Sequence, residues 1–144
     1  MNATSVKPEF LTHLNVQKLR SELDEKKGRA RWQLLSDFRY RSALVPEEIT
    51  ARCSFVSDFS SVPRLPLAYL LAGDTAHEAA VIHDWIYQTH IYPKEMADRI
   101  FLEAMGAMGV PRWRREIMYL AVKYRGGSSY KSGPERFTVL NCGC

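Results

Sequence analysis

The segment from Asp74 to Met108 restricts this chain most, because two amphipathic stretches meet there across a short break, Ile91-Tyr92-Pro93. Thr75-Ala76-His77-Glu78 has the Thr-x-x-Glu spacing of a capping box, which satisfies two orphan amides at a helix start. That spacing predicts a helix running to about His90. Pro93 suits the first position of a second helix, and Gly109 suits the left-handed residue that closes one. The result is a helical hairpin.

On the first helix Ala76, Ala79, Ala80, His83, Ile86 and Tyr87 recur at three- and four-residue steps, which puts His83 on the inward face. Ala97, Ile100, Phe101, Ala104, Met105 and Met108 make a similar stripe on the second. His83 stands about eight residues before the turn and Asp98 about six after it, so at ~1.5 Å per residue both lie roughly 9–12 Å from the bend. If the helices pack antiparallel, the Asp98 carboxylate reaches the His83 imidazole, fixes its tautomer and raises its basicity. Tyr87 lies one turn beyond His83, and Asp84 beside it places a candidate metal ligand in the same turn. The plain alternative is a core histidine bonded to a backbone carbonyl, with Asp98 an exposed helix residue.

The rest of the chain frames this hairpin. Alternation from Phe10 to Leu19, from Trp32 to Tyr40 and from Ile49 to Phe55 reads as strands, the second bent or split near Ser36. Three strands in sequence suggest an antiparallel meander. After Val110-Pro111 a third helix carries Trp113, Ile117, Leu120, Ala121 and Tyr124 on one face and ends at Gly126-Gly127. Arg112, Arg114 and Arg115 open it, either as a solvated basic face or as a contact for phosphate or an acidic partner. The expected fold is α+β: a small N-terminal antiparallel sheet packed on three helices, one domain over residues 1–127. Ser128 to Cys144 has little periodicity and reads as a C-terminal extended arm in which Phe137, Val139 and Leu140 dock.

A chain of 144 residues supports one domain with a real core, and its 46% hydrophobic and 25% charged content is that of a globular protein. No apolar run is long enough for a transmembrane segment. Met1 to Pro8 lacks the apolar core of a signal peptide, so synthesis in the cytoplasm is expected. The net charge of +4 contains no long basic block, so composition does not indicate nucleic-acid binding. Cys53, Cys142 and Cys144 are an odd set, expected as reduced thiols in that compartment; two cysteines at the end cannot complete a zinc site. Asp58, at the hand-over from strands to helices, suits an Asx-turn or a metal ligand.

Ser57-Asp58-Phe59-Ser60-Ser61-Val62-Pro63, then Ala79 through Tyr87 around His83-Asp84-Trp85-Ile86-Tyr87, then Ala97-Asp98-Arg99-Ile100-Phe101 and Met118-Tyr119 before Gly126, form a joint pattern. It resembles a bacteriophage and prophage family known as domain of unknown function number 1353, over about Arg31 to Gly127. Ser57 and Ser60 stand where that family is expected to carry Thr and Ala. The resemblance implies a phage origin and supplies no activity.

Over some thirty residues, His-Asp-x-x-Tyr on one helix with an Asp on an antiparallel helix is also similar to secretory phospholipases of the A-two type and to the lipase segment of parvovirus capsids. That resemblance implies catalytic roles for His83, which would activate water, Asp98, which would orient it, and Tyr87, which would support the carboxylate. It implies calcium at Asp84. Those enzymes complete the calcium shell from a glycine-rich loop, and here the preceding segment has only Gly73. Calcium takes about six to eight oxygens, so Asp58 or loop carbonyls would have to contribute.

Two functions follow as expectations. One is a virion-associated structural or assembly protein, of the tail, made in the host cytoplasm and joined to other virion proteins. The other is a metal-dependent hydrolase acting on host lipid or envelope during entry or lysis. A metal phosphohydrolase using His77, His83, Asp84 and Asp98 ranks below both, because ligands packed in one hairpin leave few directions for coordination.

Overall fold

The computed structural model describes residues 5–19, 31–57, 76–125, 127 and 130. Within them lie six strands: β1 (Glu9–Phe10), β2 (Val16–Leu19), β3 (Arg31–Leu34), β4 (Phe38–Arg41), β5 (Ile49–Ala51) and β6 (Val56–Ser57). Three helices follow: α1 (His77–Thr89), α2 (Lys94–Ala107) and α3 (Arg112–Arg125). The fold is α+β, with antiparallel strands packed against a helical hairpin whose second helix carries a third.

The strands do not make one meander. They form two three-stranded sheets, ordered β1-β4-β5 and β2-β3-β6. The run from Trp32 to Tyr40 supplies both central strands, because the chain leaves β3 after Leu34 and re-enters as β4 at Phe38 in the other sheet. Side-chain alternation survives the break, with Leu34, Phe38 and Tyr40 all buried. The run from Ile49 to Phe55 is likewise divided. Asp37 Oδ1 accepts the Cys53 N–H at 2.8 Å, Ser54 takes a positive φ of 76°, and the Phe55 N–H bonds back to the Arg52 carbonyl at 3.1 Å. This tight turn ends β5 at Ala51 and redirects the chain into β6, so Cys53 and Phe55 alternate without being strand residues. Cys53 is disulfide-bonded, which corrects the expectation of reduced thiols. Cys142 and Cys144 lie outside the described residues.

The hairpin has nearly the expected bounds. Its first helix starts at His77 with Ala76 as N-cap, and Thr75, the first residue of the expected capping box, lies outside the described residues. His90 closes α1 in the left-handed conformation at φ 54°, its N–H bonded to the Ile86 carbonyl. Pro93 is the N-cap of α2, and Gly109 follows that helix at φ 81°, a conformation glycine adopts without Cβ strain.

α1 packs on β5 and β6 as well as on α2, and α2 in turn packs on α3. The core joins Leu34, Phe38, Tyr40, Ile49 and Phe55 of the strand region to Ile82 and Ile86 of α1 and to Ile100, Phe101 and Met105 of α2. Glu103 of α2 ties this core to β4: its Oε1 accepts the Tyr40 hydroxyl at 2.8 Å and its Oε2 the Ala43 N–H at 3.1 Å.

On the third helix Met118 and Val122 are buried, whereas Trp113, Ile117, Leu120 and Tyr124, the residues read above as sharing one face, are exposed. No helix among the described residues is long and apolar enough to cross a membrane.

Candidate active site

The inward stripes of α1 and α2 bring three polar side chains together inside an apolar shell. His83 Nε2 lies 2.8 Å from Asp98 Oδ1, within the range expected from matching depth in the hairpin. The Tyr87 hydroxyl donates to the same oxygen at 2.5 Å. His83 and Asp98 are 1% and 2% exposed, so Asp98 is not the surface residue of the plain alternative. The His83 ring packs against those of Tyr87 and Phe101, with centroids 4.0 and 4.8 Å away.

Protonation follows from these contacts. Burial pulls the His83 pKa below its ordinary value, against the opposing pull of Asp98, so the ring is neutral near neutral pH. Burial alone would raise the Asp98 pKa, but the hydrogen bonds from His83, Lys94 and Tyr87 outweigh it and hold the carboxyl ionised. An ionised carboxylate only accepts, so His83 carries its hydrogen on Nε2 and Nδ1 is the basic nitrogen. Burial, with Asp98 adjacent, pushes the Tyr87 hydroxyl far above the usual phenol range and keeps it a donor.

Lys94 completes the cluster. Its ammonium donates to Asp98 Oδ2 at 2.7 Å and to the Val122 and Lys123 carbonyls of α3 at 3.0 and 3.1 Å. Sequence reasoning passed over it, although Lys94 and Asp98 are four apart on a helix, the spacing at which opposite charges meet. Tyr130 was also missed. Its hydroxyl donates to the Tyr92 carbonyl at 3.1 Å, its carbonyl accepts from His90 Nε2 at 2.6 Å, and its ring stands edge-on to that of Tyr87. No periodicity around Tyr130 signals this docking. The remainder of the proposed arm lies outside the described residues.

Asp84 reaches β6, where its Oδ2 accepts the Ser57 hydroxyl at 2.5 Å. Asp58 lies outside the described residues. Ser57 and Asp84 together fall well short of the six to eight oxygens calcium requires, and among the described residues no three His, Cys, Asp or Glu side chains converge as a metal site. The loop named above as the source of further oxygens lies outside the described residues, and no step is routed through calcium. His77, at the first position of α1, joins no such group with His83, Asp84 and Asp98.

The family model described as "Protein of unknown function (DUF1353)" matches residues 32–122, which include every member of the cluster except Tyr130. No curated protein and no solved structure matches the chain.

Proposed function

The chain belongs to the DUF1353 family, which brings no assigned activity, and from the cluster itself we propose a hydrolase in which His83 activates water against an ester. The observation that carries this reading is the Nε2–Asp98 bond, which leaves Nδ1 as the basic nitrogen of a neutral imidazole. Nδ1 takes a proton from water as the oxygen attacks the ester carbonyl, and the Asp98 carboxylate stabilises the imidazolium that forms. The same proton then passes to the departing alkoxide. Tyr87 and Lys94 hold Asp98 in place. The substrate class is the phospholipid ester, on the strength of the His-Asp-x-x-Tyr resemblance. With the ring 1% exposed, turnover requires that water be admitted to it.

Buried polar side chains at the centre of a hairpin support a purpose beyond folding, because apolar groups of the same volume stabilise such a position at least as well. One observation favours the other reading, a phage virion or tail assembly protein in which the cluster locks the hairpin. Asp98 takes three donors and is satisfied without any substrate.

Fatty-acid release from phospholipid vesicles by the purified full chain, with and without calcium, separates the two. Under the hydrolase reading His83→Gln abolishes release while the melting curve stays largely intact. Asp84→Asn removes any calcium dependence if Asp84 is a ligand, and leaves release unchanged if it is not. No release by the unmodified chain, free or in particles, ends the hydrolase reading.

A further inference from the structure

Trp113, Ile117, Leu120 and Tyr124 step along α3 by four, three and four residues and so share one face. They are 49%, 43%, 47% and 76% exposed. The buried Met118 and Val122 lie about 150° away around the helix, so α3 has two apolar faces, one of them turned outward. Monomer surfaces seldom display an apolar stripe of this size without a partner for it.

Charge identifies the partner. By sequence α3 carries five cations, Arg112, Arg114, Arg115, Lys123 and Arg125, and one acid, Glu116, which gives the helix the +4 that is the net charge of the whole chain. The other residues of the chain carry fifteen basic and fifteen acidic side chains. Cations also sit at the aromatic ends of the stripe. The Arg114 guanidinium is 5.2 Å from the centre of the Trp113 ring, and the Lys123 ammonium is 5.7 Å from that of Tyr124. A second copy seated face to face would bring two +4 helices together, an arrangement opposed by like-charge repulsion. Aromatic rings beside lysine and arginine, with aliphatic side chains between them, match the level at which phospholipid headgroups meet acyl chains.

We infer that the outward face of α3 docks the protein on an anionic phospholipid bilayer, with the helix lying in the plane of the interface. Ile117 and Leu120 enter the acyl boundary, Trp113 and Tyr124 sit at headgroup level, and Arg112 and Lys123 meet lipid phosphates. The inference stands apart from the hydrolase reading, since docking needs no turnover.

Vesicle flotation with the full chain tests it, using phosphatidylcholine with about one third phosphatidylglycerol against phosphatidylcholine alone. The expected result is flotation with the anionic vesicles, weakened by salt, and a blue shift in tryptophan emission that Trp113→Phe removes although Trp32 and Trp85 remain. The double variant Ile117→Ser with Leu120→Ser should lose roughly a hundredfold in binding with an unchanged melting curve, because both side chains are exposed. Lys123→Glu should weaken binding to anionic vesicles alone.

Absence of flotation with anionic vesicles overturns the inference, as does flotation undiminished in the double variant. So does a dimer in sedimentation, dissolved by the double variant, in a chain that ignores vesicles. His83→Gln should bind like the unmodified chain. Vesicles bound but never hydrolysed leave the docking face standing and end the hydrolase reading, and hydrolysis of a dispersed short-chain ester without vesicle binding does the reverse.

Discussion

Replacing Asp98 by alanine strands two buried donors at once. His83 Nε2 and the Tyr87 hydroxyl both point at Oδ1, from 2.8 and 2.5 Å, in a site where Asp98 is 2% exposed. Each loses its acceptor at a cost of about 1–3 kcal/mol. Lys94 loses least, because it keeps the Val122 and Lys123 carbonyls and its side chain is 23% exposed, so its share is under about 1 kcal/mol. The sum is a loss of about 2–7 kcal/mol, set against a total stability of about 5–15 kcal/mol for a domain. At about 2–4 °C per kcal/mol for a chain of this size, the melting temperature should fall by roughly 4–28 °C. Urea unfolding followed by circular dichroism reads the free energy directly. Tyr87→Phe is the internal comparison: it removes one donor from a carboxylate that keeps two, and should cost about 1 kcal/mol. A loss below about 1 kcal/mol for Asp98→Ala, or a larger loss for Tyr87→Phe than for Asp98→Ala, would refute the account of Asp98 as the shared acceptor.

Stability should also fall on acidification in two stages. Burial lowers the His83 pKa, so below pH 6.5 the unfolded chain binds a proton that the folded one resists, and stability drops as pH falls. The depressed Asp98 pKa adds a second loss below pH 3.8, where the unfolded carboxyl takes up a proton while the folded one stays ionised. Urea midpoints against pH should show the first loss in the unmodified chain and not in His83→Gln; a profile flat between about pH 7 and pH 5 contradicts the burial argument. At the helix–sheet tie, Glu103→Ala should cost about 1–3 kcal/mol by leaving the fully buried Tyr40 hydroxyl without its acceptor. Adding Tyr40→Phe should restore part of that loss, and thermal unfolding of the double variant below that of Glu103→Ala alone would count against the tie.

The hairpin was legible because the rise of a helix is fixed: counting residues outward from the turn at Ile91 and Tyr92 was enough to place His83 and Asp98 at one depth. Gly109, at φ 81°, marked the end of α2 for the same local reason. The outward turn of α3 was not legible. Its sequence offers two apolar stripes, and periodicity favours the one with the larger side chains, whereas burial was decided by where α2 presents its surface. Alternation likewise marked β3, β4 and β5 without naming their partners, since a period of two fixes which face is buried and not which strand lies alongside. His90 shows the limit of cap rules. Glycine is the expected left-handed residue, and here stacking on Tyr130 with a bond from Nε2 to its carbonyl accompanies the strained position of a histidine.

The three bonds of Lys94 also decide how the last turn of α3 comes apart. A helix end with residues as exposed as Tyr124 would ordinarily fray at almost no cost, and its amides would exchange with solvent fast. Here the carbonyls of Val122 and Lys123 are held by the same ammonium that neutralises a buried carboxylate. Opening that turn pulls the cation from Asp98 or breaks its grip on α3. Amide exchange at the end of α3 should therefore track that of the first turn of α2, and Lys94→Met should release the first from the second.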